Sequence, residues 1–109
     1  MDKVINLTGH DVTIKSKSGD IVIPAIEERV KARYETHELK ILKTKYGDIP
    51  LTKNFYHISK RLPPEEPNTY YIVSKIAAEV NPLRNDLVII NGLIRDGYKP
   101  IGCKSLAKI

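Results

Sequence analysis

Ser74 stands where the run YYIVSKIAAEV (70–80) changes period. Tyr70 to Val73 reads as an apolar, β-branched strand, and Lys75 to Val80 as a short helix. A serine at such a junction accepts hydrogen bonds from the backbone N–H groups of the first turn. A helix that starts at the carboxyl end of a buried strand is also a place where anions are held, and Lys75 adds positive charge there. Ser74 is therefore read in two ways, as a plain cap and as a cap that shares its helix end with an anionic ligand. The stretch NPLRNDL (81–87) adds charge nearby in sequence. Arg84 offers a planar fork suited to phosphate or carboxylate, and Asp86 stands beside it to orient it. Arg95–Asp96 repeats the pairing, and the plainer reading of both is an ordinary loop ion pair.

NLTGHD (6–11) presents Thr8 and His10 in a turn where Gly9 permits backbone conformations closed to other residues. Asp11 is placed to fix the tautomer of His10. A general base there needs a nucleophile within reach, and Ser74 and Cys103 are the candidates for a small hydrolase. No catalytic signature is intact, so the expectation is a binding protein and not an enzyme. His37 and His57 have no ligand-like spacing to each other, to His10 or to Cys103, and no metal site is expected. Neither a phosphate loop nor a dinucleotide fingerprint occurs, and no cofactor is expected.

Residues 29–62 hold nine Lys or Arg against three acids, within a chain of net charge +5. That concentration is the footprint of polyanion contact. It supports an alternative function, nucleic-acid binding through Lys40, Lys43 and Lys45; the plainer reading is a solvated lysine-rich surface.

These groups have to be positioned by one domain, since 109 residues do not divide into two cores. An apolar fraction of 41% and a charged fraction of 28% are those of a soluble globular chain. No apolar run approaches the roughly 18 residues of a membrane span, and the start MDKVINLTGHD lacks the shape of a signal peptide. The lone Cys103 forms no internal disulfide, so a reducing, cytoplasmic setting is expected. The chain contains no Gln and no Trp and is rich in Ile and Lys, a pattern met in thermophile proteins, while an AT-rich genome gives similar Ile and Lys counts.

The N-terminal third alternates like paired strands, with KVINLT (3–8), DVTIKS (11–16), a KSGD turn and DIVIPA (20–25). EERVKARYE (27–35) is read as strand. HELKILKTKY (37–46) and IPLTKNFYHI (49–58) form a second pair across Gly47–Asp48. RLPPEEPN (61–68), with three prolines, is irregular linker. Then TYYIVS (69–74), KIAAEV (75–80) and DLVIIN (86–91) make a β-α-β unit, and LIRD (93–96) with PIGCKSLA (100–107) a terminal hairpin across an Asp-Gly turn. The fold class is α+β, a strand-rich single domain over residues 1–109 with one principal short helix. A homodimer is one way for such a protein to cover its strand edges.

NLTGHD (6–11), YYIVS (70–74), RNDL (84–87), IRDG (94–97) and IGCKSL (101–106), taken in that order, resemble a family of small uncharacterised proteins of phage, virus and mobile-element-rich genomes. The match touches both ends of the chain and not its basic middle. Members carry Pro before the histidine, where this chain has Gly9, and PAIEER replaces a proline-serine-glycine stretch. The resemblance implies a viral or mobile-element setting and directs attention to His10, Ser74, Arg84, Asp86, Arg95 and Asp96. The combined expectation is a small protein holding an anionic ligand, a nucleotide or phosphorylated metabolite, at Thr8, His10, Ser74, Lys75, Arg84, Asp86 and Arg95, and so sequestering a host signal.

Overall fold

A computed structural model describes residues 1–26, 32–58 and 62–109, with side chains at all of these except 32–34 and 58. The strand reading of 27–31 lies outside the described residues, as do Arg29, Lys31, Lys60 and Arg61 of the basic stretch.

The chain is strand-rich with one short helix. The strands are β1 (Lys3–Asn6), β2 (Val12–Ser16), β3 (Gly19–Ile23), β4 (Ala32–Thr44), β5 (Gly47–Ile58), β6 (Thr69–Ile72), β7 (Leu87–Asp96) and β8 (Lys99–Ala107). The helix α1 (Lys75–Glu79) lies between β6 and β7. Six strands form one sheet in the order β1-β6-β7-β8-β2-β3, and β4 and β5 form a separate two-stranded ribbon.

β2 and β3 pair antiparallel across the Ser16–Gly19 turn, as the alternation suggests. β1 does not join them. It runs parallel to β6, from Lys3 opposite Thr69 to Asn6 opposite Ile72. The cause is local: after Asn6 the chain buries Leu7 and turns through Gly9 at φ 85°, which carries it away from its sequence neighbour. The expected β-α-β unit and terminal hairpin are met in part. β6 and β7 run parallel over a short register, Tyr71 with Leu87 and Ile72 with Val88. β7 and β8 pair antiparallel around Gly97, with an irregularity between Ile94 and Arg95. The two segments read as separate strands, 86–91 and 93–96, are one strand through Gly92.

The continuous apolar run of β6 reflects burial on both of its faces. Tyr71 and Val73 pack with Leu7, Leu87 and the helix residues Ala77 and Ala78. Ile72 points the other way, to Val12, Val88 and Cys103. Between them these clusters bury ten apolar residues, which makes α1 a lid on one face of the sheet and not an independent element. The sheet curls until its outer strands meet: Asn6 bridges Ala25 in parallel, and the Ile26 N–H donates to the Asn6 carbonyl at 3.2 Å.

The ribbon departs from this body. Its strands of 13 and 12 residues span roughly 40 Å at the usual strand rise. A β-bulge between Glu38 and Lys40 takes Leu39 out of register. Most of its described side chains are exposed. The radius of gyration is 17.9 Å, where a compact chain of this length has about 13 Å.

Candidate functional site

The three parallel strands β1, β6 and β7 run in the same direction, and the chain beyond β1 and β6 meets β7 at one cleft. Thr8, His10 and Asp11 follow β1, Val73 and Ser74 follow β6, and Ile89 and Ile90 lie along β7. With Val12 and Lys75 they enclose about 480 Å³. The floor is aliphatic, from Val12, Val73, Ile89 and Ile90; the rim carries an ammonium, an imidazole, a carboxylate and two hydroxyls. A second groove of about 320 Å³ adjoins it along His10, Asp11, Val12 and Ile90, and continues over Leu93, Pro100 and Ile101 to Cys103.

Asn6 holds the rim in place. It is 1% exposed, and its amide is fully engaged. Nδ2 donates to the His10 carbonyl at 2.7 Å and to the Ile23 carbonyl at 3.0 Å. Oδ1 accepts the Thr8 N–H at 3.0 Å and the Thr8 hydroxyl at 2.6 Å. The Thr8 oxygen is in turn 3.4 Å from the His10 N–H. A buried amide so satisfied is costly to disturb, because each orphaned partner pays its desolvation. Asp11 ties the same loop to the seam, accepting the Ala25 N–H at 3.0 Å. Among the described residues, no hydrogen bond joins it to the His10 ring.

Ser74 is a cap. Its backbone is extended, and its hydroxyl oxygen accepts the Ala77 N–H at 3.2 Å. The Ser74 proton is what remains to offer a ligand. Lys75 is well exposed and lies 3.9 Å from Glu79, a loose surface pair of little worth.

Arg84 and Asp86 stand elsewhere. Arg84 grips Asp86 with both ends of its fork, Nε to Oδ1 at 2.9 Å and Nη2 to Oδ2 at 2.8 Å. The same Nη2 donates to the Pro63 carbonyl at 2.8 Å, and Nε lies 3.2 Å from Glu65. The hydrogen bond and charge of Arg84 hold the Asp86 carboxyl below the usual carboxylate range, and Asp86 raises the Arg84 guanidinium in return. Tyr71 reaches the adjoining carbonyl, its hydroxyl donating to Pro64 at 3.4 Å, and burial pushes its phenol upward. This cluster straps the proline-rich linker to the body. Arg95 donates to the Tyr98 carbonyl at 3.2 Å within the β7–β8 turn. Of the seven residues proposed from sequence, Thr8, His10, Ser74 and Lys75 share the cleft; Arg84, Asp86 and Arg95 do not line it.

His10 and Ser74 line the same cleft with no hydrogen bond between them among the described residues, and Cys103 is 2% exposed in the core. Sequence reasoning missed Asn6, whose partners Thr8, His10 and Ile23 all lie outside its own strand. On the ribbon, Lys43 pairs with Asp48 at 2.8 Å, while His37 and His57 each stand 3.5 Å from Glu35. Among the described residues, no group of three or more His, Cys, Asp or Glu side chains is arranged to hold a metal ion, and no helix is long and apolar enough to cross a membrane.

Fold and site together define a small curled-sheet protein with a cleft at the ends of its parallel strands. No protein-family model, curated protein or solved structure matches the chain.

Proposed function

We propose that this is a small binding protein of viral or mobile-element type, whose cleft takes a ligand with one flat apolar part and one anionic part. A nucleotide or phosphorylated metabolite has that chemistry, and holding a host signal out of circulation is the role it suggests. The observation that carries the reading is the cleft's position, where the β6–α1–β7 segment and the loop after β1 converge at the ends of parallel strands. Open α/β sheets hold their ligands at such ends. The aliphatic floor suits a base, and Lys75, His10 and the hydroxyls of Thr8 and Ser74 suit an anion. Arg84 and Arg95 are not needed by this reading, since Arg84 is spent on Asp86 and the linker.

The test is thermal unfolding against a panel of mononucleotides, cyclic and linear oligonucleotides. A ligand at about 100 times its dissociation constant adds roughly 2.7 kcal/mol and raises the melting temperature by several degrees. Lys75→Ala and His10→Ala are expected to abolish that rise while leaving the unliganded melting temperature unchanged. A rise that survives both substitutions rules the cleft out.

A second reading rests on the ribbon. A two-stranded β-ribbon fits the DNA major groove, and this one carries Lys40, Lys43 and Lys45. It predicts affinity for duplex DNA that falls steeply with salt, by about one logarithmic slope unit per phosphate contact. Lys40→Glu with Lys45→Glu is expected to remove that affinity, and failure to bind at low salt ends this reading.

A further inference from the structure

The cleft does not end at Ile90. The second groove opens from it across His10, Asp11, Val12 and Ile90, which border both spaces. At about 480 and 320 Å³, each reaches the roughly 300 Å³ at which small-molecule pockets begin. A ligand seated in the first has a path into the second.

β7 and β8 are shaped to make that second space. Ile94 faces Gly102, but Arg95 faces Pro100, so the register slips and Ile101 is left without a partner. Such a bulge re-aims a side chain, and Ile101 lines the groove beside Leu93. Gly102 lets β8 close on β2, since a Cβ there would stand 3.0 Å from the Thr13 carbonyl oxygen. The groove therefore offers three aliphatic side chains to solvent, Ile90 at 45%, Leu93 at 48% and Ile101 at 38%.

Charge divides the two spaces. Lys75 borders the cleft and not the groove, whose polar side chains are His10, Asp11 and Thr13. Asp11 accepts the Ala25 N–H through Oδ1 and makes no other hydrogen bond among the described residues. A carboxylate in that position repels a second anion and accepts from an N–H donor. The groove thus suits an uncharged, flat group with apolar faces and N–H donors at its edge.

We propose that the ligand is a dinucleotide. One base lies on the aliphatic floor of the cleft, and a single bridging phosphate lies between Lys75 and His10. The second base lies in the groove over Ile90, Leu93 and Ile101, with its N–H edge toward Asp11. This rests on the cleft reading above and adds to it a length and an order of parts: a mononucleotide fills the first space alone.

Isothermal titration calorimetry of the full chain tests it. The probes are the linear dinucleotides with one bridging phosphate and the methyl esters of the mononucleotides. A methyl ester keeps the single charge of the bridge and lacks the second base. The best dinucleotide is expected to bind about tenfold or more tighter than the methyl ester with the same first base, the gain from burying roughly 60 Å² of ring on aliphatic side chains. Ile101→Asp and, separately, Leu93→Asp are expected to erase that gain and to leave the methyl ester affinity within about twofold. Both positions are part-exposed, and the unliganded melting temperature reports that each variant is folded. Equal affinity for dinucleotide and methyl ester, or a gain that survives both substitutions, overturns this inference and leaves the cleft reading in place. If none of these compounds binds, both fall.

Discussion

Ile72 on β6 and Ile49 on β5 are the same residue type, each in a strand, yet Ile72 is fully buried and Ile49 is 45% exposed. The body covers its strands by curling, so that β1 and β3 meet at Asn6 and α1 closes one face. The ribbon has two strands and nothing to curl around. Local pattern decides which side of a strand is apolar; only the pairing of distant segments decides whether that side is covered.

The largest expected difference follows directly. Ile72→Ala opens a cavity in the body and is expected to cost about 3 kcal/mol or more, read from the urea midpoint at low protein concentration. The same truncation at Ile49 is expected to change that midpoint by less than about 0.5 kcal/mol. Equal effects at the two sites break the comparison, because they require the ribbon to be packed within the monomer.

Next comes the strap. Arg84→Ala leaves Asp86 buried without its partner and is expected to cost about 3 kcal/mol. Its pH dependence has a definite sign. The folded pKa of Asp86 is depressed, so its stabilisation is complete above the unfolded value of about 3.9 and is lost as pH falls through the folded value. Unfolding free energy measured from about pH 5 to pH 2 is expected to drop in the wild type through that window, and to drop less in Asp86→Asn. Parallel curves for the two proteins contradict this assignment.

Smaller effects sharpen the contrast. Ser74→Ala removes the α1 cap and is expected to cost about 1 kcal/mol by thermal unfolding. Lys43→Ala, which breaks a charge pair of similar length on the open ribbon, is expected to cost under about 0.5 kcal/mol in the same assay.

How much of this was legible in the residues depends on how far apart the partners are. The Ser16–Gly19 turn, the β4–β5 pair, the capped helix, the irregular 62–68 linker and the Gly97 turn all announce themselves within a few residues, through turn chemistry and period. The partnership of β1 with β6 has no such mark, because parallel strands are joined by long connections. Arg84 looked like a ligand fork because Asp86 is adjacent in sequence; the Pro63 carbonyl that makes it a strut is 21 residues away. Thr8, His10, Ser74 and Lys75 come together at one cleft because each follows a strand end. Asn6 was missed because an amide's four partners cannot be read from its neighbours.

The bulge at Leu39 fixes the bookkeeping of the arm. Upstream of it the odd-numbered residues of β4 share a side with Phe55; downstream the even-numbered ones do, and Leu42 joins Ile49 and Leu51 for that reason. Leu39 is in effect a parity switch. Removing that single residue leaves β4 strictly alternating, with Lys40 still opposite Leu51 and Leu42 still opposite Ile49, and inserting matched pairs of residues in both strands lengthens the arm by about 7 Å per pair and leaves every facing unchanged. The arm can therefore vary in reach by even steps, and an odd step in β4 alone keeps the facings only where a bulge absorbs it, as at Leu39.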